Sequence, residues 1–315
     1  MWEEIPFLKA ICNQPDDDLV RLVYADWLEE RGDPRADFLR LEVERHRRED
    51  KSKKRPPPVS KEWNDWVSCL DPHWTGVILY TRGRPMGVRR DVVQVTDGKG
   101  LIDVRGGDGE IVLLVEGKPV AFNWDDCQGS VGQFLVFTGH SRGADHARQL
   151  AEFVDGNVHP ERSLSAQIEP LLALLPNGIY GLGYSPTATV EPVTTLENSP
   201  QSIPDMQLHG YYPVHDRNLV CTQRTATLDA SRIRHFRQQI RKGHRPIVLT
   251  VSAEGAWCEF VIDGHHKLTA YNREGVRPTI LGISRWHAPV IDRDEGLAFF
   301  PPGHPGAREY RRMKR

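Results

Sequence analysis

Five consecutive residues in the C-terminal third of the chain, Asp263-Gly264-His265-His266-Lys267, combine side chains that bind phosphate with a glycine turn. We call residues 263–267 the DGHHK box. An apolar run typical of a β-strand precedes the box, and a helical pattern follows it. Such a glycine lets the backbone approach a ligand, and the free N–H groups of a first helical turn attract phosphate. Cations are unfavourable there for the helix itself, so His265, His266 and Lys267 indicate an anion above the turn.

The same box also has a purely structural interpretation. A turn from strand to helix often needs a glycine for its backbone geometry, and its histidines can cap backbone groups of neighbouring segments. The residues alone leave the phosphate site and the structural turn open. A zinc site at His265 and His266 is a weaker interpretation, because adjacent residues on a helix do not share a face.

Helices and strands surround the box in a regular order. Ile233, Phe236 and Ile240 recur at helical spacing ahead of it, and Gly243 ends that helix. The expected elements are a strand at 219–222, a helix at 231–241, strands at 246–251 and 257–262, a helix at 268–274 and a strand at 278–283. This order places the box between a β-hairpin and the second helix.

The stretch Leu219–Ile283 resembles the ParB/sulfiredoxin superfamily. The shared features are L-D-x-x-[RK]-[IV] opening a helix, R-P-I, a hairpin, and V-I-D-G-H-H-K-L-x-A-Y, with lysine where the family usually has arginine. The resemblance implies that the domain binds a nucleoside triphosphate, ATP or CTP, together with Mg²⁺. It implies that the phosphates lie on Gly264, His265, His266 and Lys267, and that Arg232, His235 and Gln239 contact the rest of the nucleotide.

Members of this superfamily differ in chemistry. Sulfiredoxins carry their catalytic cysteine at the position of His265, which argues against sulfinic acid repair by this chain. ParB proteins carry a helix-turn-helix domain after the box, whereas here only residues 284–315 follow the matched stretch, which argues against specific DNA binding. Free-serine kinases have D-G-H-H-R, which is the nearest box to this one.

The candidate catalytic residues are Asp263 and His265, both in the box. The kinases of this superfamily use a glutamate just before the first helix as a base, and the corresponding place here, near Ala226, is not acidic. Asp229 is the nearest substitute, although it also suits the role of helix cap. Asp263 is therefore the better candidate for an acid, a base or a carboxylate close to a metal.

Two functions follow from the resemblance. The first is an enzyme, a nucleoside-triphosphate-dependent phosphotransferase or triphosphatase, which the intact box favours. The alternative is a non-catalytic interaction or regulatory protein that uses the nucleotide as a switch, which the missing kinase glutamate favours.

The N-terminal segment is expected to form a helical hairpin. The string R-L-V-Y-A-D-W-L-E-E-R-G-D-P-R, within residues 5–45, resembles the planctomycete-type repeat-companion domain. That resemblance implies no chemistry. It leaves open a module that docks a protein partner and a plain helical domain, since Asp16, Asp17 and Asp18 already complement a helix dipole.

The middle of the chain predicts antiparallel β-hairpins, because β-rich runs alternate with Asp97-Gly98 and Gly106-Gly107 turns. Gly139-His140-Ser141-Arg142-Gly143 also matches the G-x-S-x-G elbow of α/β-hydrolases, with a helix expected at 144–155. The elbow needs several parallel β-α units before its serine. The preceding hairpins therefore favour a tight turn over a nucleophilic Ser141.

Composition sets the remaining limits. Hydrophobic residues form 39% of the chain and charged residues 27%, and no apolar run reaches the length of a membrane helix. Five scattered cysteines without C-x-x-C spacing predict free thiols in a reducing cytoplasm.

The expected fold class is α+β. Its parts are a helical module at 1–50, a linker and helical extension at 51–75, a β-rich middle domain with helices at 76–190, a ParB/sulfiredoxin-like nucleotide-binding α/β domain at 191–290 and a tail at 291–315.

Overall fold

A computed structural model gives the three-dimensional structure of the chain. It describes residues 2–51, 61–80, 89–107, 109–125, 132–137, 158, 162–186, 188, 191–193, 207–211, 218–223 and 227–313. The fold is α+β, as the sequence predicts, with helices and mixed sheets. The chain divides into two compact units, one of residues 1–86 and 90–93 and the other of residues 87–89 and 94–315.

The N-terminal unit is helical. A short 3₁₀ turn at Trp2–Glu4 leads into α1 (Ile5–Asn13), α2 (Asp18–Glu29), α3 (Arg35–Lys51), α4 (Lys61–Ser68) and α5 (Pro72–Tyr80). Asp17 caps α2 by accepting the Leu19 N–H at 2.8 Å, which satisfies one of the unpaired donors of the first turn. Helices α2 and α3 form the expected hairpin.

Polar groups are paired inside this helical unit. The Tyr24 hydroxyl donates to Glu4 at 2.6 Å and accepts from Trp74 Nε1 at 2.9 Å. Arg35 also donates to both oxygens of Glu4, at 2.9 Å each. Arg21 is fully buried and donates to the Pro15 carbonyl at 2.6 Å. These hydrogen bonds offset the cost of burying Glu4, Tyr24 and the Arg21 Nη1 group.

Strand β1 (Arg89–Val95) has residues in both units. The further elements of the second unit are β2 (Ile102–Gly107), β3 (Glu110–Val115), β4 (Lys118–Asp125), β5 (Gly132–Val136), α6 (Leu164–Gln167), α7 (Glu169–Leu172), β6 (Gly178–Ser185), β7 (Glu191–Val193), β8 (Gln207–Tyr211), β9 (Asn218–Cys221), α8 (Ala230–Arg241), β10 (Ile247–Ala253), β11 (Cys258–Asp263), α9 (His265–Glu274), β12 (Thr279–Trp286), α10 (Arg293–Ala298) and α11 (Pro305–Met313). These strands form two sheets: the larger includes the order β6-β12-β10-β11-β9-β7, and the smaller has the order β2-β3-β4-β5-β8.

The larger sheet mixes strand directions. Strands β10 and β11 are antiparallel, as expected for a hairpin, while β10 is parallel to β12 and β11 is parallel to β9. Helices α8 and α9 pack against each other, and their apolar faces share one core with the sheet. The residues of that core include Ile233, Phe236, Ile240, Val248, Val261, Leu268, Tyr271 and Ile280. This packing fixes α8 beside the first turn of α9.

Aromatic side chains form the core of the smaller sheet. Phe122 and Trp124 on β4 stack with a centroid distance of 5.3 Å, and Phe300 and Tyr310 pack against them from the C-terminal helical segment. The Tyr310 hydroxyl donates to Glu110 at 2.5 Å. Residues 291–315, expected as a tail, therefore include a segment that closes this core.

The two sheets do not follow the expected boundary between the middle and C-terminal domains. Strand β6, from the expected middle domain, pairs antiparallel with β12 of the larger sheet, whereas β8, from the expected C-terminal domain, pairs with β5 of the smaller one. Backbone hydrogen bonds thus cross the boundary expected at residue 190. Local periodicity does not report such pairing, because the paired strands are far apart in sequence.

Some sequence predictions fall outside the described residues. These are Ser141 with its G-x-S-x-G elbow, the helix at 144–155, most of the linker after residue 51, and Cys127. Cys12, Cys69, Cys221 and Cys258 are free thiols. Among the helices of the described ranges, none has the length and apolar character needed to cross a membrane.

Candidate functional site

The DGHHK box occupies the turn between β11 and α9. Strand β11 ends at Asp263, Gly264 takes φ +102°, and α9 begins at His265. A Cβ on Gly264 would lie 3.0 Å from the Cα of Val248 on β10. The glycine is therefore required by its backbone angle and by the neighbouring strand, without any ligand.

Asp263 and Lys267 form a buried ion pair. The Lys267 ammonium lies 2.7 Å from Asp263 Oδ2 and also donates to the Ile247 carbonyl at 3.0 Å. The two residues are only 6% and 3% exposed, respectively. The sequence led us to expect an external anion over this turn; in the structure, the protein's own carboxylate supplies the negative charge beside Lys267.

His265 is buried and serves as a hydrogen-bond acceptor. Its Nε2 receives the backbone N–H of Thr222 at 3.1 Å. The Thr222 hydroxyl, 3.3 Å from the same nitrogen, donates to the Val261 carbonyl at 2.8 Å. Since Nε2 accepts this N–H, the contact with Thr222 corresponds to the tautomer that has its proton on Nδ1.

His266 makes the equivalent contact at the other end of the same connection. Its Nε2 accepts the backbone N–H of Asp229 at 3.0 Å. Both histidines therefore cap backbone groups, as the structural interpretation of the box expects. The contact assigned to them by the resemblance, a nucleotide phosphate, is not required to explain their positions.

Asp229 is the N-cap of α8. Its Oδ1 accepts both the N–H and the hydroxyl of Ser231, each at 2.6 Å. These hydrogen bonds from Ser231, the hydroxyl first, lower the pKa of the carboxyl. The ionised cap stabilises the first turn of α8.

A cavity of about 510 Å³ opens along α8. Its walls come from α8 and from the segment that enters β10. The lining residues are Ser231, Arg232, His235, Phe236, Gln239, His244, Arg245 and Pro246. The structure thus brings together Arg232, His235 and Gln239, the three helix residues expected to contact a nucleotide.

The cavity is rich in hydrogen-bond donors, and none of its eight lining residues is acidic. Gln239 Nε2 lies 3.0 Å from His235 Nε2, so these side chains form one polar group on the wall. Arg245 donates to the Ile240 and His244 carbonyls through Nη1, which places its guanidinium at the C-terminal end of α8. Phe236 and Pro246 supply the apolar surface. This composition suits an anionic ligand with an apolar or aromatic part.

The box contributes none of the residues that line the cavity. Phe236 connects the two, because it lines the cavity and its ring centroid lies 5.7 Å from the Lys267 ammonium. The structure therefore divides the predicted site. Arg232, His235 and Gln239 stand at an open surface, whereas Asp263, His265 and Lys267 are buried.

Sequence reasoning missed part of the lining. His244, Arg245, Phe236 and Pro246 were not predicted as ligand contacts, although R-P-I was recognised as a feature of the fold. The sequence signal that could have identified this part of the lining is an excess of positive charge. Between residues 230 and 250 the chain has five arginines and one lysine but no aspartate or glutamate. Such an imbalance on one helix and its exit indicates an anion-binding surface.

The lining does not fit a protein-held magnesium ion. Magnesium prefers carboxylate, phosphate and water oxygens, and the eight lining residues offer no carboxylate. Among the described residues, no group of three or more histidine, cysteine, aspartate or glutamate side chains is arranged to hold a metal. Any magnesium here would depend on the ligand's own phosphates.

Known proteins do not extend this assignment. Comparisons of the chain with protein-family models, curated proteins and solved structures found no match.

Proposed function

We propose that the C-terminal part of the chain binds a nucleoside triphosphate, ATP or CTP, in the cavity along α8. One observation carries the proposal. Arg232, His235 and Gln239 were selected from the sequence pattern, and the same three side chains line one cavity of suitable composition.

The dimensions of the lining suit an elongated ligand. Ser231 and Gln239 are eight residues apart, which corresponds to about 12 Å along a helix at 1.5 Å per residue. Arg232 lies near one end of this stretch and Arg245 near the other. Arginine binds phosphate through paired N–H groups.

We favour the non-catalytic use of the nucleotide, as a switch or scaffold ligand. Asp263 is paired with Lys267, and His265 is engaged with Thr222. Neither residue lines the cavity, so the two catalytic candidates from the sequence are not positioned on a ligand bound there.

The second candidate is a phosphotransferase or triphosphatase, and Asp229 is the observation in its favour. This carboxylate is exposed and hydrogen-bonded to Ser231, which lines the cavity. It is also the nearest acidic residue to the place, near Ala226, where the kinases of the resembled superfamily carry their base. An ionised carboxylate at that place is able to orient an acceptor hydroxyl.

Binding is tested by calorimetric titration with ATP, CTP and ADP in the presence of Mg²⁺. We expect Arg232→Ala to weaken ATP or CTP binding about tenfold or more, because it removes charge-assisted hydrogen bonds. Arg234→Ala is the matched control, since Arg234 is exposed on the same helix but does not line the cavity. Absence of binding by the wild type, or equal losses in both variants, would refute the proposal.

Catalysis is tested by turnover of ATP and CTP, with and without candidate acceptors such as free serine. The switch predicts binding without turnover. Turnover that disappears in Asp229→Asn, with binding retained, would establish the enzyme instead.

A further inference from the structure

Two neighbouring histidines hold both ends of one connection. The segment between β9 and α8 begins at Thr222 and ends at Asp229. Its first N–H is accepted by His265 at 3.1 Å and its last by His266 at 3.0 Å. Adjacent side chains on a helix diverge by about 100°, which lets two consecutive residues reach two separate points of the same segment.

Both contacts require a nitrogen that accepts. A protonated imidazole, a lysine or an arginine only donates, so none of them could replace either ring in this role. The hydroxyl of Thr222 donates elsewhere, to the Val261 carbonyl at 2.8 Å. The backbone N–H of Thr222 therefore defines the tautomer of His265, with the proton on Nδ1.

A series of hydrogen bonds links His266 to residues that line the cavity. Asp229, held through its N–H, accepts the N–H and hydroxyl of Ser231 at 2.6 Å. Ser231 and the next residue, Arg232, are lining residues. Three groups in series thus connect the box to the end of the cavity that carries Arg232.

We propose that His265 and His266 are positioning residues that act as a backbone clamp, each holding one N–H group, that of Thr222 and that of Asp229. The clamp sets the start of α8 and thereby the placement of Ser231 and Arg232 toward the ligand. This inference deepens the proposed nucleotide-binding function, and its effect on affinity rests on that function. The clamp itself is a property of the ligand-free protein.

The test compares two kinds of substitution in the full chain. His266→Gln keeps an acceptor oxygen close to the place of Nε2, whereas His266→Leu removes the acceptor. The same pair is made at His265. Thr222→Val is the matched control, because it removes the hydroxyl contact with Val261 but keeps the N–H that His265 accepts.

The first readout is amide hydrogen exchange without nucleotide. We expect the Asp229 N–H to exchange about tenfold faster in His266→Leu and the Thr222 N–H about tenfold faster in His265→Leu, each having lost one hydrogen bond. The glutamine variants and Thr222→Val should retain protection of these amides. The imidazole ¹⁵N spectrum of the wild type should show both rings neutral and protonated on Nδ1.

The second readout is ATP affinity. We expect the leucine variants to weaken binding several-fold and the glutamine variants to restore it. Three results would each overturn the clamp: unchanged exchange in the leucine variants, rings protonated on Nε2, or glutamine variants that lose affinity as fully as leucine does. If the leucine variants do not fold, the wild-type ¹⁵N spectrum and the glutamine variants still test the clamp. If the wild type binds no nucleotide, the proposed function fails, while exchange and tautomer still test the clamp.

Discussion

Lys267 lies in the first turn of α9, and the sequence alone does not show which group balances its charge. A lysine in the first turn of a helix is normally unfavourable, because the helix N-terminus is already positive. Here Asp263, four residues earlier, lies 2.7 Å from the ammonium, and both groups are buried. The Asp263 carboxylate offsets the unfavourable interaction of Lys267 with the helix N-terminus. The cation in this turn is therefore explained by an ion pair within the protein, without a bound anion.

Removing one partner of this pair should be more damaging than removing both. Lys267→Met leaves a buried carboxylate without its cation, which typically costs about 3–5 kcal/mol. The double variant Lys267→Met/Asp263→Leu replaces the pair with apolar groups and should recover part of that loss. Urea denaturation measures both, with Arg273→Met on the exposed face of α9 as the control. A double variant no more stable than Lys267→Met would contradict this account.

Gly264 should tolerate no side chain, for two separable reasons. Its φ of +102° is unfavourable for other residues, and a Cβ would lie 3.0 Å from Val248 Cα. Gly275 also has a positive φ, +63°, but has open space around its Cβ position. We therefore expect Gly275→Ala to cost about 1 kcal/mol and Gly264→Ala at least about 2 kcal/mol in free energy of unfolding. Equal losses would rule out the contribution of Val248.

The chemical types in the box were readable from the sequence, but their partners were not. The string D-G-H-H-K identifies a turn with charge and acceptors. Whether Lys267 meets a ligand or Asp263, and whether His266 meets phosphate or the Asp229 N–H, depends on segments that approach only after folding. Residue type limits the chemistry, while tertiary contacts select one outcome.

At the scale of elements, α8 and α9 are joined by a charged contact as well as by their apolar faces. Glu274, at the end of α9, accepts from Arg241 at 2.7 Å and from Arg237 at 2.5 Å. These two hydrogen bonds, that of Arg241 first, lower the pKa of Glu274 from 4.5 to about 2. Helix α8 thus has one of its ends fixed by Asp229 and the other tied to Glu274.

This contact predicts a defined loss of stability in acid. A carboxyl whose pKa is lower in the folded state stabilises the fold above its unfolded pKa. That contribution is lost as the pH falls from about 4.5 toward about 2. The difference in urea midpoint between the wild type and Glu274→Gln should therefore be largest at pH 6–7 and shrink below about pH 4.5. Glu309→Gln on α11 is the control, and a difference that stays constant with pH would disprove the assignment.

Periodicity predicted the elements around the cavity well. The helix expected at 231–241 is α8 at Ala230–Arg241, and the strand expected at 246–251 is β10 at Ile247–Ala253. The helix expected at 268–274 begins earlier, at His265, because Gly264 already provides its N-terminal boundary. Apolar spacing finds the interior of an element, whereas its ends depend on caps and neighbouring chains.

At the scale of the whole molecule, each unit has its own interior. The N-terminal unit buries Leu8, Tyr24, Leu28, Phe38 and Trp74 among its helices. The second unit contains the two sheets and the cavity along α8. The strand order of those sheets could not be read from the sequence, because β6 and β12, like β5 and β8, pair across long stretches of chain.

The N-terminal unit should fold as a separate fragment. Residues 1–95 include both of its stretches, and Trp74 contacts Tyr24 and Phe38 within the unit. We expect this fragment to unfold cooperatively in urea, monitored by tryptophan fluorescence. Tyr24→Phe should lower its stability by about 1–3 kcal/mol, since it removes the hydroxyl between Glu4 and Trp74. A fragment that unfolds gradually would show that this unit depends on the rest of the chain.

Arg21, Tyr24 and Arg35, all members of the string that identified the helical module, direct their polar groups into its interior. The string therefore specifies how this module assembles, and it predicts no particular binding partner. Leu19 on α2 lies outside the string and is 65% exposed. Exposed apolar positions of this kind are where a partner-binding surface of the module should be sought.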